Sequence, residues 1–336
     1  MESIYINSLL SMGGLGALLA VGLGFAARAF HVERDERIDQ IEEVLPGANC
    51  GACGYAGCSN FAEAVVNGEA AVDGCPVGGD KVAALVAEIM GATAGSGEKQ
   101  LAQILCNGGW QETEQPSEYR GIKTCSAANM VSSGTKSCQY GCLGLGECAA
   151  VCPFDAIEMS ENGLPVIDPE KCTGCGKCVQ ACPRGIITLA PISSQNHIRC
   201  SSHDSGKLVR GICELGCIGC GICAKVCPVE AIKIENNLAV IDYSKCINCG
   251  LCAEKCPTGA IEFEGKRVKE IEITDNCVGC TRCARECPVK AIEGELKEQH
   301  SIDPEICVKC GICYDVCKVK GAIKVEFEDV LPTDNF

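Results

Sequence analysis

Four stretches of the chain share the pattern Cys-x2-Cys-x2-Cys-x3-Cys-Pro: Cys172, Cys175, Cys178 and Cys182; Cys217, Cys220, Cys223 and Cys227; Cys246, Cys249, Cys252 and Cys256; and Cys277, Cys280, Cys283 and Cys287. A fifth run, Cys307, Cys310, Cys313 and Cys317, ends in Lys318 in place of proline. Three thiols spaced in this way wrap a short loop around one corner of a [4Fe-4S] cubane. The fourth, on the helix that follows, cannot close the same cube and reaches a second one. Zinc fits less well, because a tetrahedral site takes two separated Cys pairs and has no use for a third closely spaced thiol. Disulfides between residues three apart would be strained.

The crossing of the fourth ligand assigns the pairs. Cys217, Cys220 and Cys223 go with Cys256, and Cys246, Cys249 and Cys252 with Cys227. In the same way Cys277, Cys280 and Cys283 go with Cys317, and Cys307, Cys310 and Cys313 with Cys287. Upstream the pattern is irregular, since Leu145 aligns with Cys220. Cys138, four residues before Cys142, is the expected substitute, giving Cys138, Cys142 and Cys148 with Cys182, and Cys172, Cys175 and Cys178 with Cys152. A separate segment, Cys50-Gly-Ala-Cys53-Gly-Tyr-Ala-Gly-Cys58 followed by Cys75-Pro, has the ligands for one further cluster. Zinc is the competing reading of that spacing.

These assignments use 28 of the 32 cysteines and predict seven [4Fe-4S] clusters. Cys106, Cys125, Cys200 and Cys213 remain, the number an eighth would need. The alternative is that these four thiols are small buried hydrophobes.

The elements that must position the ligands are small. Glu161 to Cys172 parallels Glu235 to Cys246, and the Cys125–Cys138 spacing repeats at Cys200–Cys213, so a module has been duplicated. A third module runs from about Ile273 to Ala322. Between the cysteine runs lie short strand pairs such as Ala231 to Glu235 and Leu238 to Asp242, joined at Asn236-Asn237. Aromatic residues are 4% of the chain and glycines number 39, so metal ligation must help each module fold. The predicted fold is α+β: a transmembrane helix over 1–30, a small four-iron cluster domain and linker over 31–98, and tandem two-cluster modules of the bacterial ferredoxin type over 99–190, 191–264 and 265–336. Within the second part, Val32 to Val44 reads as amphipathic, Asp80 to Met90 as a helix and Gly91 to Gly97 as a linker.

From Ser3 to Ala27 no acid or base interrupts 25 residues, enough for a helix to cross a bilayer. A cleaved signal peptide is the weaker reading, because no Lys or Arg precedes the apolar stretch. Arg28, Arg34 and Arg37 follow it, which places the cysteine-bearing part on the cytoplasmic side of the cell (inner) membrane. Gly16, Ala20 and Gly24 form a small-xxx-small stripe suited to a neighbouring membrane helix. The net charge of -15 excludes a nucleic-acid partner. No dinucleotide fingerprint is present. His31, His197, His203 and His300 read as surface or structural residues, and Lys266, Arg267 and Lys269 as a basic spot that either steers an acidic partner or is a solvated strand.

Leu45-Pro-Gly-Ala-Asn-Cys50-Gly-Ala-Cys53-Gly resembles the start of the four-iron domain in the B subunit of the Rnf complex, a membrane ferredoxin:NAD oxidoreductase that translocates ions. Cys142-Leu-Gly-Leu-Gly-Glu-Cys148 and Cys200-Ser-Ser-His-Asp are similar to its long form in anaerobic bacteria. The resemblance implies a component with no substrate chemistry of its own. It implies that electrons arrive from soluble reduced ferredoxin and leave toward membrane and peripheral partner subunits, with NAD and flavins bound elsewhere. The alternative is a polyferredoxin component of another membrane redox complex, such as a hydrogenase.

Overall fold

The structure, a computed structural model, describes residues 2–29, 34–93, 95, 98–131 and 134–328. His31, Val32 and positions 94, 96 and 97 of the expected linker lie outside them. Helix α1 (Glu2–Ala29) carries the uncharged stretch. Its side chains are described from residue 12 to 26 and at Arg28, and Met12, Leu18, Val21 and Phe25 are all exposed. Among the described residues no helix is long and apolar enough to cross a membrane.

Three helices, α2 (Glu36–Val44), α3 (Cys58–Val66) and α4 (Gly79–Met90), make the first compact unit. The Asp35 carboxylate caps α2 by accepting the Arg37 backbone N–H at 2.9 Å, and its hydrogen bond with the Arg37 side chain holds its pKa at about 2. Ile38, Ile41 and Leu45 recur at helical spacing and bury against Phe61, Val65 and Val86. Helix α4 covers the expected Asp80 to Met90 run and stops at Gly91 in the left-handed region.

Three modules follow, each with the same strand pairing. The first runs β1 (Gln100–Ile104), α5 (Cys125–Met130), α6 (Glu147–Ala150), β2 (Ile157–Met159), β3 (Pro165–Ile167), α7 (Lys177–Ala181) and β4 (Ile187–Pro191). The second runs β5 (Asn196–Ile198), α8 (Gly206–Ile212), α9 (Ile222–Val226), β6 (Ile232–Glu235), β7 (Leu238–Ile241), α10 (Leu251–Glu254) and β8 (Ile261–Phe263). The third runs β9 (Arg267–Ile273), α11 (Arg282–Glu286), β10 (Ile292–Glu293), β11 (Ser301–Ile302), α12 (Ile312–Val316) and β12 (Ile323–Glu328). In each, the first strand pairs antiparallel with the last and the two inner strands pair antiparallel with each other. The expected turn joins β6 to β7: Asn236 and Asn237 have φ of 47° and 66°, the backbone a tight hairpin needs.

No module has a large apolar core. Ile157, Ile186 and Ile187 in the first, Ile232 and Ile261 in the second, and Ile273, Ile292 and Ile323 in the third pack directly on cysteines. The first two modules are joined through Arg199. Its guanidinium bonds Glu262 at 2.5 Å and Glu264 at 2.8 Å in its own module, and Gln103 Oε1 at 2.9 Å and the Ile104 carbonyl at 3.1 Å in the other.

His197, on β5, is fully buried. Its Nε2–H donates to the Ser194 carbonyl at 3.0 Å, so Nδ1 accepts from the Tyr243 hydroxyl at 3.1 Å. Burial, then the Arg199 charge, lowers its pKa from 6.5 to about 4. A depressed histidine contributes stability that is present above its unfolded value and lost as pH falls toward the folded one, here on the order of 3 kcal/mol at most. Between pH 6.5 and 4 the denaturation midpoint of the wild-type chain is expected to fall more steeply than that of His197→Gln. Parallel curves would contradict this.

Candidate iron–sulfur centres

The ligand loops share one backbone conformation. In all five runs the residues on either side of the second cysteine have positive φ, whether glycine, as at Gly219 and Gly221, or not, as at Asn248, Thr281 and Lys309. Alternation of this kind turns successive N–H groups inward to a concave surface that suits sulfide and thiolate. The irregular loop keeps the conformation, with Gly144 and Gly146 both at φ 72°, but presents Leu145 between them.

The cysteines gather in fours around cavities. Cys50, Cys53, Cys58 and Cys75 line one of about 320 Å³. Cys277, Cys280, Cys283 and Cys317 line another of about 340 Å³, and Cys287, Cys307, Cys310 and Cys313 a third of about 330 Å³. In the second module burial pushes Cys223 up to about 11, with the charges of Cys217, Cys256 and Cys220 adding to it. Cys246 and Cys249 are raised by burial and feel Cys227. Both fours cross between runs. Cys152 occupies the repeat position of Cys227 and Cys287, and each of the three accepts the backbone N–H of an alanine four residues on, at 3.2–3.4 Å. Cys178 is pushed up to about 12 by burial and by Cys175 and Cys172.

One grouping differs from the expected one. Cys142, Cys148 and Cys182 share a cavity of about 380 Å³ with Cys125, not with Cys138. Thr124 caps α5 through the Ala127 N–H, and Glu147 binds the Ser126 N–H at 2.8 Å and its hydroxyl at 3.0 Å. These contacts set Cys125, the first residue of α5, beside the loop where Leu145 replaces a ligand. Cys138 turns away and lines another cavity with Cys106, Cys200 and Cys213. Nearness in sequence favours Cys138; the fold of the arm between β1 and α6 favours Cys125.

The donor set fits a cubane. Among the described residues no three His, Cys, Asp or Glu converge on a point that a single ion could occupy. A cubane bonds its four thiolates at separate iron corners, which calls for a wider spread. Among the described residues three buried polar atoms lack a partner: the hydroxyls of Thr173 and Thr281, inside ligand loops, and Nε2 of His300, which lines the Cys277 cavity. Cluster sulfur would supply an acceptor to both hydroxyls. Among the other histidines, His203 is exposed, with Nδ1 3.1 Å from the Asn236 carbonyl. Arg267, in the basic spot, is paired with Glu254.

Family models match along the chain: an Fe-S cluster family over residues 45–77, a 4Fe-4S binding domain over 165–188, and 4Fe-4S dicluster domains over 216–260, 239–293 and 276–323. The B subunit of the Na(+)-translocating ferredoxin:NAD(+) oxidoreductase complex of Acetobacterium woodii is 48% identical over 234 residues, 70% of each chain. The B subunit of the ion-translocating oxidoreductase complex of Methanosarcina acetivorans is 44% identical over 245 residues, 73% of this chain and 93% of that one. This chain belongs to the family of B subunits of ion-translocating oxidoreductase complexes. Another member, from the proton-translocating ferredoxin:NAD(+) oxidoreductase complex of Clostridium ljungdahlii, is 45% identical over 240 residues, 71% of this chain and 84% of that one.

In this member of the family the second-module loop offers a direct test. Gly219 has φ 64°, and a Cβ there would meet the Asn237 carbonyl oxygen at 2.6 Å. Gly219→Ala is expected to cost about 1–3 kcal/mol. It should lower the temperature at which visible absorption bleaches in anaerobic melts; an unchanged transition would contradict the close approach.

Proposed function

We propose that this chain is the iron–sulfur electron-transfer component of an ion-translocating ferredoxin:NAD oxidoreductase, taking electrons from reduced ferredoxin and delivering them to partner subunits. The observation that carries this reading is the gathering of cysteines into fours around shared pockets. A [4Fe-4S] cluster held by four thiolates takes up and releases one electron with no bond made or broken in a substrate. The chain's own residues hold the clusters, shield them and set them in a row.

The ligand sets are Cys50, Cys53, Cys58 and Cys75 in the first unit; Cys125, Cys142, Cys148 and Cys182, then Cys152, Cys172, Cys175 and Cys178, in the first module; Cys217, Cys220, Cys223 and Cys256, then Cys227, Cys246, Cys249 and Cys252, in the second; and Cys277, Cys280, Cys283 and Cys317, then Cys287, Cys307, Cys310 and Cys313, in the third. Neighbouring sets adjoin. A Cβ on Gly51 would lie 3.9 Å from Nζ of Lys177, in the Cys175 to Cys178 loop. Cys178 feels the charge of Cys148, Cys252 that of Cys223, Cys249 that of Cys310 and Cys313 that of Cys283. The Cys50 segment favours this reading over a hydrogenase polyferredoxin.

Helix α1 supplies the membrane anchor on this reading. Twenty-five residues without Asp, Glu, Lys, Arg or His lie in a single helix, and apolar side chains stand exposed on several of its faces. The arginines that follow put the clusters on the cytoplasmic side. Both parts are tested with the whole complex in sealed vesicles. Reduced ferredoxin added to inside-out vesicles is expected to bleach the cluster absorption of this chain, and to leave it unchanged in right-side-out vesicles. Bleaching from the outside of right-side-out vesicles would overturn the topology, and no bleaching from either side would overturn ferredoxin as the donor.

A further inference from the structure

A cavity outside the seven ligand sets lies between the first and second modules. It is lined by Cys106 and Cys138 from the first module and by Cys200 and Cys213 from the second. None of the four falls within a matched family segment. We propose that these four thiolates hold an eighth [4Fe-4S] cluster, which bridges the two modules.

The chain builds this site from two arms. The Asn107 N–H donates to the Arg199 carbonyl at 3.0 Å, and the Ser201 hydroxyl to the Leu105 carbonyl at 2.9 Å, placing Cys106 beside Cys200. Thr113 forms an antiparallel bridge with Cys213. Glu114 N–H to the Ile212 carbonyl and Glu214 N–H to the Glu112 carbonyl, both 3.0 Å, flank the bridge. The Ser137 N–H donates to the Glu114 carbonyl at 2.9 Å and brings Cys138 in from the first arm. Cys138 and Cys213 are equivalent in the duplication, so the repeat supplies one ligand from each arm.

A second observation is electrostatic. Lys136 is 4% exposed; its ammonium donates to the Gly108 carbonyl at 2.6 Å and rests 4.6 Å from the centre of the Trp110 ring. It is in no salt bridge among the described residues, and it is near enough for its charge to act on Cys213 and Cys142. A buried ammonium needs an anionic counterpart. Four protonated thiols supply none, whereas a cubane with four thiolates carries a net negative charge.

The site also touches both neighbours. Cys106 Sγ accepts the N–H of Cys142, a ligand of the first module, at 3.3 Å. Cys200 Sγ accepts the N–H of Ser202 at 3.4 Å and feels the charge of Cys217, a ligand of the second. Because electron tunnelling falls off exponentially with distance, a cluster here makes one continuous row.

The proposal rests on reading the chain as a [4Fe-4S] carrier, and iron counting separates the two. In the anaerobically purified, fully reconstituted full-length chain ~32 Fe are expected at four per cluster. Cys138→Ala and Cys213→Ala should each hold ~28, and the double variant ~28 as well, with one and the same paramagnetic signal lost. Loss of ~8 Fe in the double variant would put the two cysteines in different clusters and overturn the bridge. Because single variants can fail to assemble, the wild-type count stands alone as a test: ~28 Fe, with or without one zinc, would overturn the eighth cluster and leave the carrier intact. A colourless protein without iron would overturn the carrier itself.

Discussion

The bond between cysteine thiolate and cluster iron is the interaction on which this fold depends. Within the modules the helices that carry ligands run four to six residues, far below the length at which a helix persists by itself, and every sheet has two strands. The apolar residues that hold them, such as Ile157 and Ile187 or Ile273 and Ile323, pack on cysteines as well as on one another. Four ligands drawn from two separated runs supply the long-range ties that a larger core would otherwise provide. The same burial pushes Cys142, Cys200, Cys252 and Cys313 up to about 12.

Charge is the second constraint. The chain is net -15 before any cluster adds to it, and a few cations are set inside against that charge. Arg199 ties two modules through carboxylates and carbonyls, Lys136 lies buried under Trp110, and the guanidinium of Arg184 binds Asn129 at 2.7 Å and the Cys138 carbonyl at 3.4 Å beside two cysteine cavities. Burial lowers the Arg184 pKa, and the thiolate charges of Cys138 and Cys182 work against that. Net charge and hydrogen bonding to sulfur are among the terms that set cluster potential.

Much of this was legible in the sequence because ligand spacing is a local code. The crossed grouping of cysteines around the third-module cavities, the Asn236-Asn237 turn and the helix ending at Gly91 all follow from residues near one another in the chain. The outer strand pairs do not, since nothing near Gln100–Ile104 announces pairing with Ile187–Pro191. The exchange of Cys125 for Cys138 was hidden for a related reason. Leu145 marks a missing ligand, but which distant cysteine replaces it depends on how the arm folds back, through the Thr124 cap and the Glu147–Ser126 bonds. The alignment of Cys138 with Cys213 was the one available clue that Cys138 belongs to the contact between modules.

The most direct test of the dependence on iron is amide hydrogen exchange of the anaerobic protein before and after removal of the metal. If thiolate–iron bonds stand in for a core, the amides of the outer pairs β1 with β4, β5 with β8 and β9 with β12 are protected in the iron-loaded chain and lose that protection when iron is removed, while those of α2 and α4, which share an apolar core with α3, lose less. Retained protection of the strand amides in the iron-free chain would contradict it.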